Sequence, residues 1–214
     1  DLSSLDQGIL QDYDQDHFDG LAATDTLAHL ANVGGSSHVI DVCSGLGGPA
    51  RYFAHHYGSR VTGIDLNQSR VDGAIRLTKM VGLEGKVSFH LANALSTALP
   101  SAEFDSLISQ EAFCHIPNKP ELLTECVRIL KPGGLIAFTD ILEGTSMTTP
   151  VRERLRQEMT FMELNTLDSY RTLLETSGCE IKMAEDLSEE WARILIDRLA
   201  MYRGLKDQTI ARFG

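Results

Sequence analysis

Nine consecutive residues, Asp41-Val42-Cys43-Ser44-Gly45-Leu46-Gly47-Gly48-Pro49, combine an acid, a hydroxyl and three glycines ahead of a proline. Glycines at 45, 47 and 48 permit a tight turn and let a ligand lie against the main chain. Proline suits the first turn of a helix, whose free N–H groups and partial positive charge favour a carboxylate or phosphate. Asp65 stands 65 − 45 = 20 positions beyond Gly45. An acid there, at the end of a second strand, can accept hydrogen bonds from both hydroxyls of a ribose. The combination points to nucleoside binding. No Gly-Lys-Ser/Thr follows the loop, so it is not a phosphate-binding P-loop, and its glycines miss the Gly-x-Gly-x-x-Gly spacing of dehydrogenases.

A second group with chemical potential is Ser109-Gln110-Glu111-Ala112-Phe113-Cys114-His115-Ile116, directly after an apolar run. Open parallel sheets bind ligands outside the carboxyl ends of their strands. Gln110 and Glu111 are therefore candidates for contacts to a cofactor or an acceptor. An imidazole ordinarily titrates near neutrality, so His115 can take a proton from an acceptor amine or hydroxyl. A plain loop hydrogen bond is the alternative role for it.

The hydropathy pattern supplies a scaffold for both groups. Short apolar runs at 38–42, 60–65, 87–91, 104–109 and 135–139 read as buried strands. Segments 24–33, 49–57, 67–81 and 120–130 read as helices, with Gly58 stopping the second and Lys131-Pro132-Gly133-Gly134 the last. Strand and helix alternating at this spacing predict an α/β, doubly wound, mostly parallel sheet with helices on both faces. Beyond Asp140 the pattern predicts a polar loop over 141–150 and helices over 151–162 and 167–177. A strand over 180–187 and a helix from Ser188 to about 203 follow. A single domain over 1–214 is expected.

Composition narrows the function classes. The 214 residues carry a formal net charge of −11, and without a basic cluster such a surface disfavours nucleic acid. No apolar run approaches the ~20 residues of a membrane span, and no signal-like opening is seen, so a cytoplasmic location is expected. Cys43, Cys114, Cys126 and Cys179 are scattered without a CxxC pair, and no HExxH occurs. That fits a reducing compartment and no metal site.

The stretch Val39-Ile40-Asp41-Val42-Cys43-Ser44-Gly45-Leu46-Gly47-Gly48-Pro49-Ala50-Arg51-Tyr52 resembles motif I of the class I S-adenosylmethionine-dependent methyltransferases. Val61-Thr62-Gly63-Ile64-Asp65-Leu66 is similar to their second motif. Arg128-Ile129-Leu130-Lys131-Pro132-Gly133-Gly134 is similar to their approach to strand five. The Gly47-Gly48-Pro49-Ala50-Arg51 continuation and the opening Asp14-Gln15-Asp16-His17-Phe18 resemble the sarcosine/dimethylglycine-type members. The resemblance, over roughly 13–140, implies a Rossmann-like methyltransferase fold and S-adenosylmethionine as cofactor. It implies cofactor contacts from Asp41, Ser44, Gly45, Gly47, Asp65 and Leu66, and from Asn93, Ala94, Gln110 and Gln15. It further implies that segment 1–20, with Tyr13, Gln15 and His17, closes over the cofactor. Segment 141–166 would then be a lid, with Met159, Phe161 and Met162 either lining an acceptor pocket or simply packing. His115, Glu111 and His17 form the candidate catalytic set.

Two local departures and one global one stand out. Cys43 replaces the family's first glycine. Asn93 replaces an acid near the adenine, where its amide oxygen can still accept from the adenine amino group or merely shape a loop. The family's seventh strand is not evident in this sequence, and an uncovered sheet edge would favour pairing, as in a homodimer.

Methyl transfer from a sulfonium is an in-line displacement on an already activated carbon. It demands alignment and exclusion of water more than acid–base machinery, so the lack of a catalytic triad is compatible with it. The expected activity is methylation of a small molecule, by analogy at an amine nitrogen. Oxygen, carbon or sulfur acceptors, a non-catalytic S-adenosylmethionine-binding protein and a nicotinamide-dependent oxidoreductase remain alternatives.

Overall fold

The structure is a computed structural model, and it describes residues 5–213. Residues 1–4 of the expected cofactor-covering segment lie outside the described residues. Five parallel strands form one sheet: β1 (His38–Val42), β2 (Arg60–Asp65), β3 (Val87–Leu91), β4 (Phe104–Gln110) and β5 (Leu130–Thr139). Their order is β3-β2-β1-β4-β5. The winding reverses between β1 and β4, so the carboxyl ends of those two strands open a crevice for ligands.

Side-chain alternation along the strands feeds two separate cores. Val39, Val61 and Ile108 pack on one face beneath α2 (Gly20–Leu30), α3 (Gly48–Tyr52) and α4 (Gln68–Met80). Ile40, Ile64 and Leu107 pack on the other beneath α5 (Lys119–Ile129) and α7 (Leu167–Thr176). The doubly wound architecture expected from the sequence is therefore the one observed. The short α1 (Gln7–Leu10) precedes it, and α6 (Thr149–Met159) and α8 (Ser188–Phe213) complete the chain. No helix among the described residues is long and apolar enough to cross a membrane.

Several boundaries differ from expectation. The first long helix starts at Gly20, earlier than expected, and ends at Leu30. The helix after the glycine loop widens into a π-helical turn, Phe53–Tyr57, before Gly58 stops it at φ 78°. In β5, Phe104 of β4 pairs with Leu130 but Ser106 pairs with Leu135, so Lys131-Pro132-Gly133-Gly134 bulges out of the ladder. The strand expected over 180–187 is absent among the described residues. Ile181 and Met183 do alternate, but Met183 is 57% exposed. Alternation without a neighbouring strand to bond or a core to face does not hold extended structure. The outer edge of β5 accordingly has no partner strand among the described residues.

Candidate active site

The glycine loop runs from β1 to α3 through a series of left-handed residues. Cys43, Gly45 and Gly47 have φ of 64°, 54° and 79°. Only glycine adopts that region freely, and another residue there costs roughly 1–2 kcal/mol. The glycine that the family carries at position 43 thus answers a real backbone demand, which Cys43 meets at the expense of strain. The loop is tied down by Ser44 N–H to the Ile64 carbonyl (2.9 Å) and Gly47 N–H to the Ser44 carbonyl (2.8 Å). Asp65 finishes the arrangement: its Oδ2 accepts from Gly45 N–H (2.9 Å) and its Oδ1 from Asn67 N–H (2.8 Å).

Three close approaches explain the small residues. A Cβ on Gly47 would lie 2.3 Å from the Phe89 ring, and one on Gly63 2.4 Å from the same ring. A Cβ on Gly48 would lie 2.0 Å from the Asp14 carbonyl oxygen. The N-terminal segment therefore rests directly on the loop. Arg51, fully buried, clamps it there by donating to Asp14 Oδ2 (2.7 Å), while its other nitrogen donates to Thr78 Oγ1 (3.3 Å).

Asp41, at the end of β1, is buried, and its Oδ2 has no hydrogen-bond partner among the described residues. Burial, reinforced by Asp65 and opposed by Arg51, pushes its carboxyl up to about 7. An acid that holds its proton more tightly when folded is most favourable below its unfolded pKa and loses stability as pH rises through about 7. The shift corresponds to roughly 4 kcal/mol. Asp41→Asn is therefore expected to raise the melting temperature of the cofactor-free protein at pH 8, by about 10 °C, with the difference shrinking towards pH 4. Melting curves of both proteins across that range check this, and a pH-independent difference would disprove it.

On the β4 side, Gln110 is buried, and its Oε1 lies 3.1 Å from Thr24 Oγ1. Gln15 Oε1 approaches the same hydroxyl at 2.9 Å. One hydroxyl has one proton. The Gln15 amide nitrogen donates to Asp14 Oδ1 (3.3 Å), which fixes its oxygen on Thr24. The Gln110 amide nitrogen is buried without a partner among the described residues. With the Asp41 oxygen, this leaves an unpaired donor at the end of β4 and an unpaired acceptor at the end of β1. Such a pair suits a ligand that carries both a carboxylate and an ammonium.

Glu111 follows at φ 53°, its N–H donating to the Thr139 carbonyl (2.8 Å). Its Oε1 accepts from Phe18 N–H (2.9 Å), so the acid and the N-terminal segment meet. Burial, opposed by that hydrogen bond and helped by Asp16 and Asp140, raises its carboxyl to about 7. His17 is adjacent to this contact. Its imidazole is held below its ordinary range, chiefly by burial, and its carbonyl accepts from Arg198 of α8. Phe18 stacks on Trp191 at 4.4 Å. His115, four positions beyond Glu111, is exposed, with Nδ1 3.1 Å from the Thr160 carbonyl after α6.

The fold thus gathers Asp41, Ser44, Gly45, Gly47, Asp65, Gln110 and Gln15 around one loop, and puts Glu111 beside His17. Leu66, next to Asp65, is 72% exposed, a flat apolar surface at the loop's rim. The Asn93 Oδ1 caps the turn that follows by accepting from Leu95 N–H (3.0 Å), and a second lone pair on that oxygen stays available. Ala94 is packed in the core with Ile40, Val42 and Ile64, leaving only its backbone for a ligand. Thr24, Arg51 and Phe89 escaped the sequence reading. A charged residue inside the apolar face of α3 was the one available signal, at Arg51.

An open parallel sheet with a glycine loop and a following acid at its switch point defines a Rossmann-like nucleoside-binding domain. Residues 40–138 match the family described as methyltransferase domain. Methyltransferase GfsG of Streptomyces halstedii is 31% identical over 174 residues, which are 80% of this chain and 63% of that protein. The sarcosine/dimethylglycine N-methyltransferase of Halorhodospira halochloris is 28% identical over 75% of this chain and 58% of that protein. A solved Haemonchus contortus phosphoethanolamine N-methyltransferase 2 superposes with a TM-score of 0.81 at 21% identity, over 92% of this chain and 46% of that one. The chain spans less than two thirds of the length of each of these proteins. Over residues 40–138 the chain is similar to the methyltransferase domain of these proteins, a resemblance that implies S-adenosylmethionine as the methyl donor. The residues present fit that molecule. The buried unpaired Asp41 oxygen matches its ammonium, the buried unpaired Gln110 amide nitrogen matches its carboxylate, and the Asp65 carboxylate has lone pairs left for the ribose hydroxyls.

Proposed function

We propose that this protein transfers a methyl group from S-adenosylmethionine to the nitrogen of a small amine. The observation that carries the amine assignment is Glu111. It is a half-buried carboxylate at the carboxyl end of β4, with Asp16 and Asp140 nearby and the Phe18 N–H and Arg198 opposing them. An acidic recess of this kind attracts and orients an ammonium group and repels an anionic acceptor. The bound cofactor supplies an electrophilic methyl group on a sulfonium.

The chain's own residues do the rest. Asp65 holds the ribose, Leu66 covers the adenine and the backbone of Asn93 and Ala94 borders it. Gly45 and Gly47 let the cofactor approach the loop, Ser44 offers a hydroxyl, Asp41 receives the ammonium, and the Gln110 amide nitrogen donates to the carboxylate. Gln15 braces Gln110 through Thr24, and His17 and Phe18 shut out water. Glu111 aligns the acceptor nitrogen. His115 takes the acceptor's proton on Nε2 and returns it to solvent, leaving the nitrogen lone pair free to attack.

Incubating the full chain with methyl-labelled S-adenosylmethionine and a panel of amines, phenols and carboxylic acids tests this reading. Labelled amine and equimolar S-adenosylhomocysteine are expected. Label confined to oxygen acceptors would refute the amine assignment. Calorimetric cofactor binding with no product from any acceptor would refute the enzyme.

A further inference from the structure

The surroundings of His115 go further than its sequence position suggested. Its Nδ1 lies 3.1 Å from the carbonyl oxygen and 3.2 Å from the hydroxyl of Thr160. The Thr160 hydroxyl donates to the Met159 carbonyl at 2.6 Å, so it turns a lone pair toward the ring. A ring nitrogen between two acceptors must carry the proton, which leaves the lone pair on Nε2. Phe161 packs on the imidazole with ring centroids 5.2 Å apart.

The geometry is held against strain. Thr160 closes α6 with φ 56° and ψ 30°, a left-handed conformation that a β-branched residue keeps only when its neighbours impose it. They do so here. Met162 and Glu163 N–H groups both donate to the Cys114 carbonyl (2.9 and 3.3 Å). The buried Lys119 ammonium bridges the Ile116 and Glu163 carbonyls (2.6 and 3.0 Å). Asn118 N–H donates to Glu163 Oε2 (2.7 Å). The segment after α6 is thus riveted to the loop that carries His115.

We propose that Thr160 is a positioning residue: its left-handed carbonyl and its hydroxyl fix His115 as the Nδ1–H tautomer and aim Nε2 at the acceptor. The proposal rests on His115 being the proton acceptor of the proposed reaction.

The tautomer is read from 15N shifts of the imidazole in the full chain without substrate, so it is independent of turnover. The Nδ1–H form is expected in the unmodified protein. Thr160→Asn, which tolerates the left-handed region and keeps a side-chain acceptor, should preserve it with kcat within about threefold. Thr160→Val loses the hydroxyl and its anchor on Met159. It should populate the other tautomer and lower kcat about tenfold, with the acceptor KM changed less than twofold. An Nε2–H tautomer in the unmodified protein, or one unaffected by Thr160→Val, overturns the positioning role. Full turnover by His115→Gln instead overturns the proton-acceptor reading on which the proposal rests.

Discussion

Asp65→Ala is expected to weaken S-adenosylmethionine binding at least a hundredfold. Two hydrogen bonds from ribose hydroxyls to a carboxylate contribute roughly 1.5–3 kcal/mol each, already enough for that factor. The structure adds a second loss. Both Asp65 oxygens also hold the backbone, one through Gly45 N–H and the other through Asn67 N–H. Without them the glycine loop and the start of α4 lose their common fastening. Asparagine is not a mild substitute, because its NH2 would face one of those N–H groups. Titration calorimetry of both variants checks this, and a dissociation constant within threefold of the parent would remove Asp65 from the site.

The other large effect is expected at Glu111. Glutamine keeps the volume and still accepts from Phe18 N–H, so the N-terminal segment stays in place and only the charge is lost. Removing one member of a desolvated charge pair costs about 2–5 kcal/mol. For an amine acceptor, kcat/KM should therefore fall on the order of a hundredfold, with cofactor affinity little altered. Because burial raises the Glu111 carboxyl to about 7, the acid is charged only above that pH in the free enzyme. The parent kcat/KM should climb with pH through about 7, and Glu111→Gln should make that limb shallower. An unchanged slope in the variant would dissociate Glu111 from the acceptor.

The half of the site that holds the cofactor was legible because its parts are neighbours in sequence. The run 39–49 and Asp65 announce strand, turn, helix and acid within a single βαβ unit. In the acceptor half Glu111, His17 and His115 stood out by residue type, but their pairings did not. Phe18 meets Glu111 across 93 positions, and Arg51 meets Asp14 across 37. Nothing local in either segment forecasts its partner. The five strands were legible for a related reason, since buried parallel strands are nearly continuous apolar runs. Alternation at Ile181 and Met183 misled because periodicity reports a face, not whether anything covers it. At Asn93 the sequence could not choose between roles, because an Asx turn and a ligand contact require the same residue type.

The Phe89 ring, wedged between Gly47 and Gly63, has an evolutionary consequence. These three positions, on a loop and two strands, share one volume and so constitute one heritable character. A methyl group gained at 63 meets the phenyl at 2.4 Å and the Ser44 hydroxyl at 2.7 Å, so it requires the ring to shrink and that hydroxyl to turn away. Drift at one member must wait on drift at another. Substitutions scored singly therefore report the shared volume and not the single position.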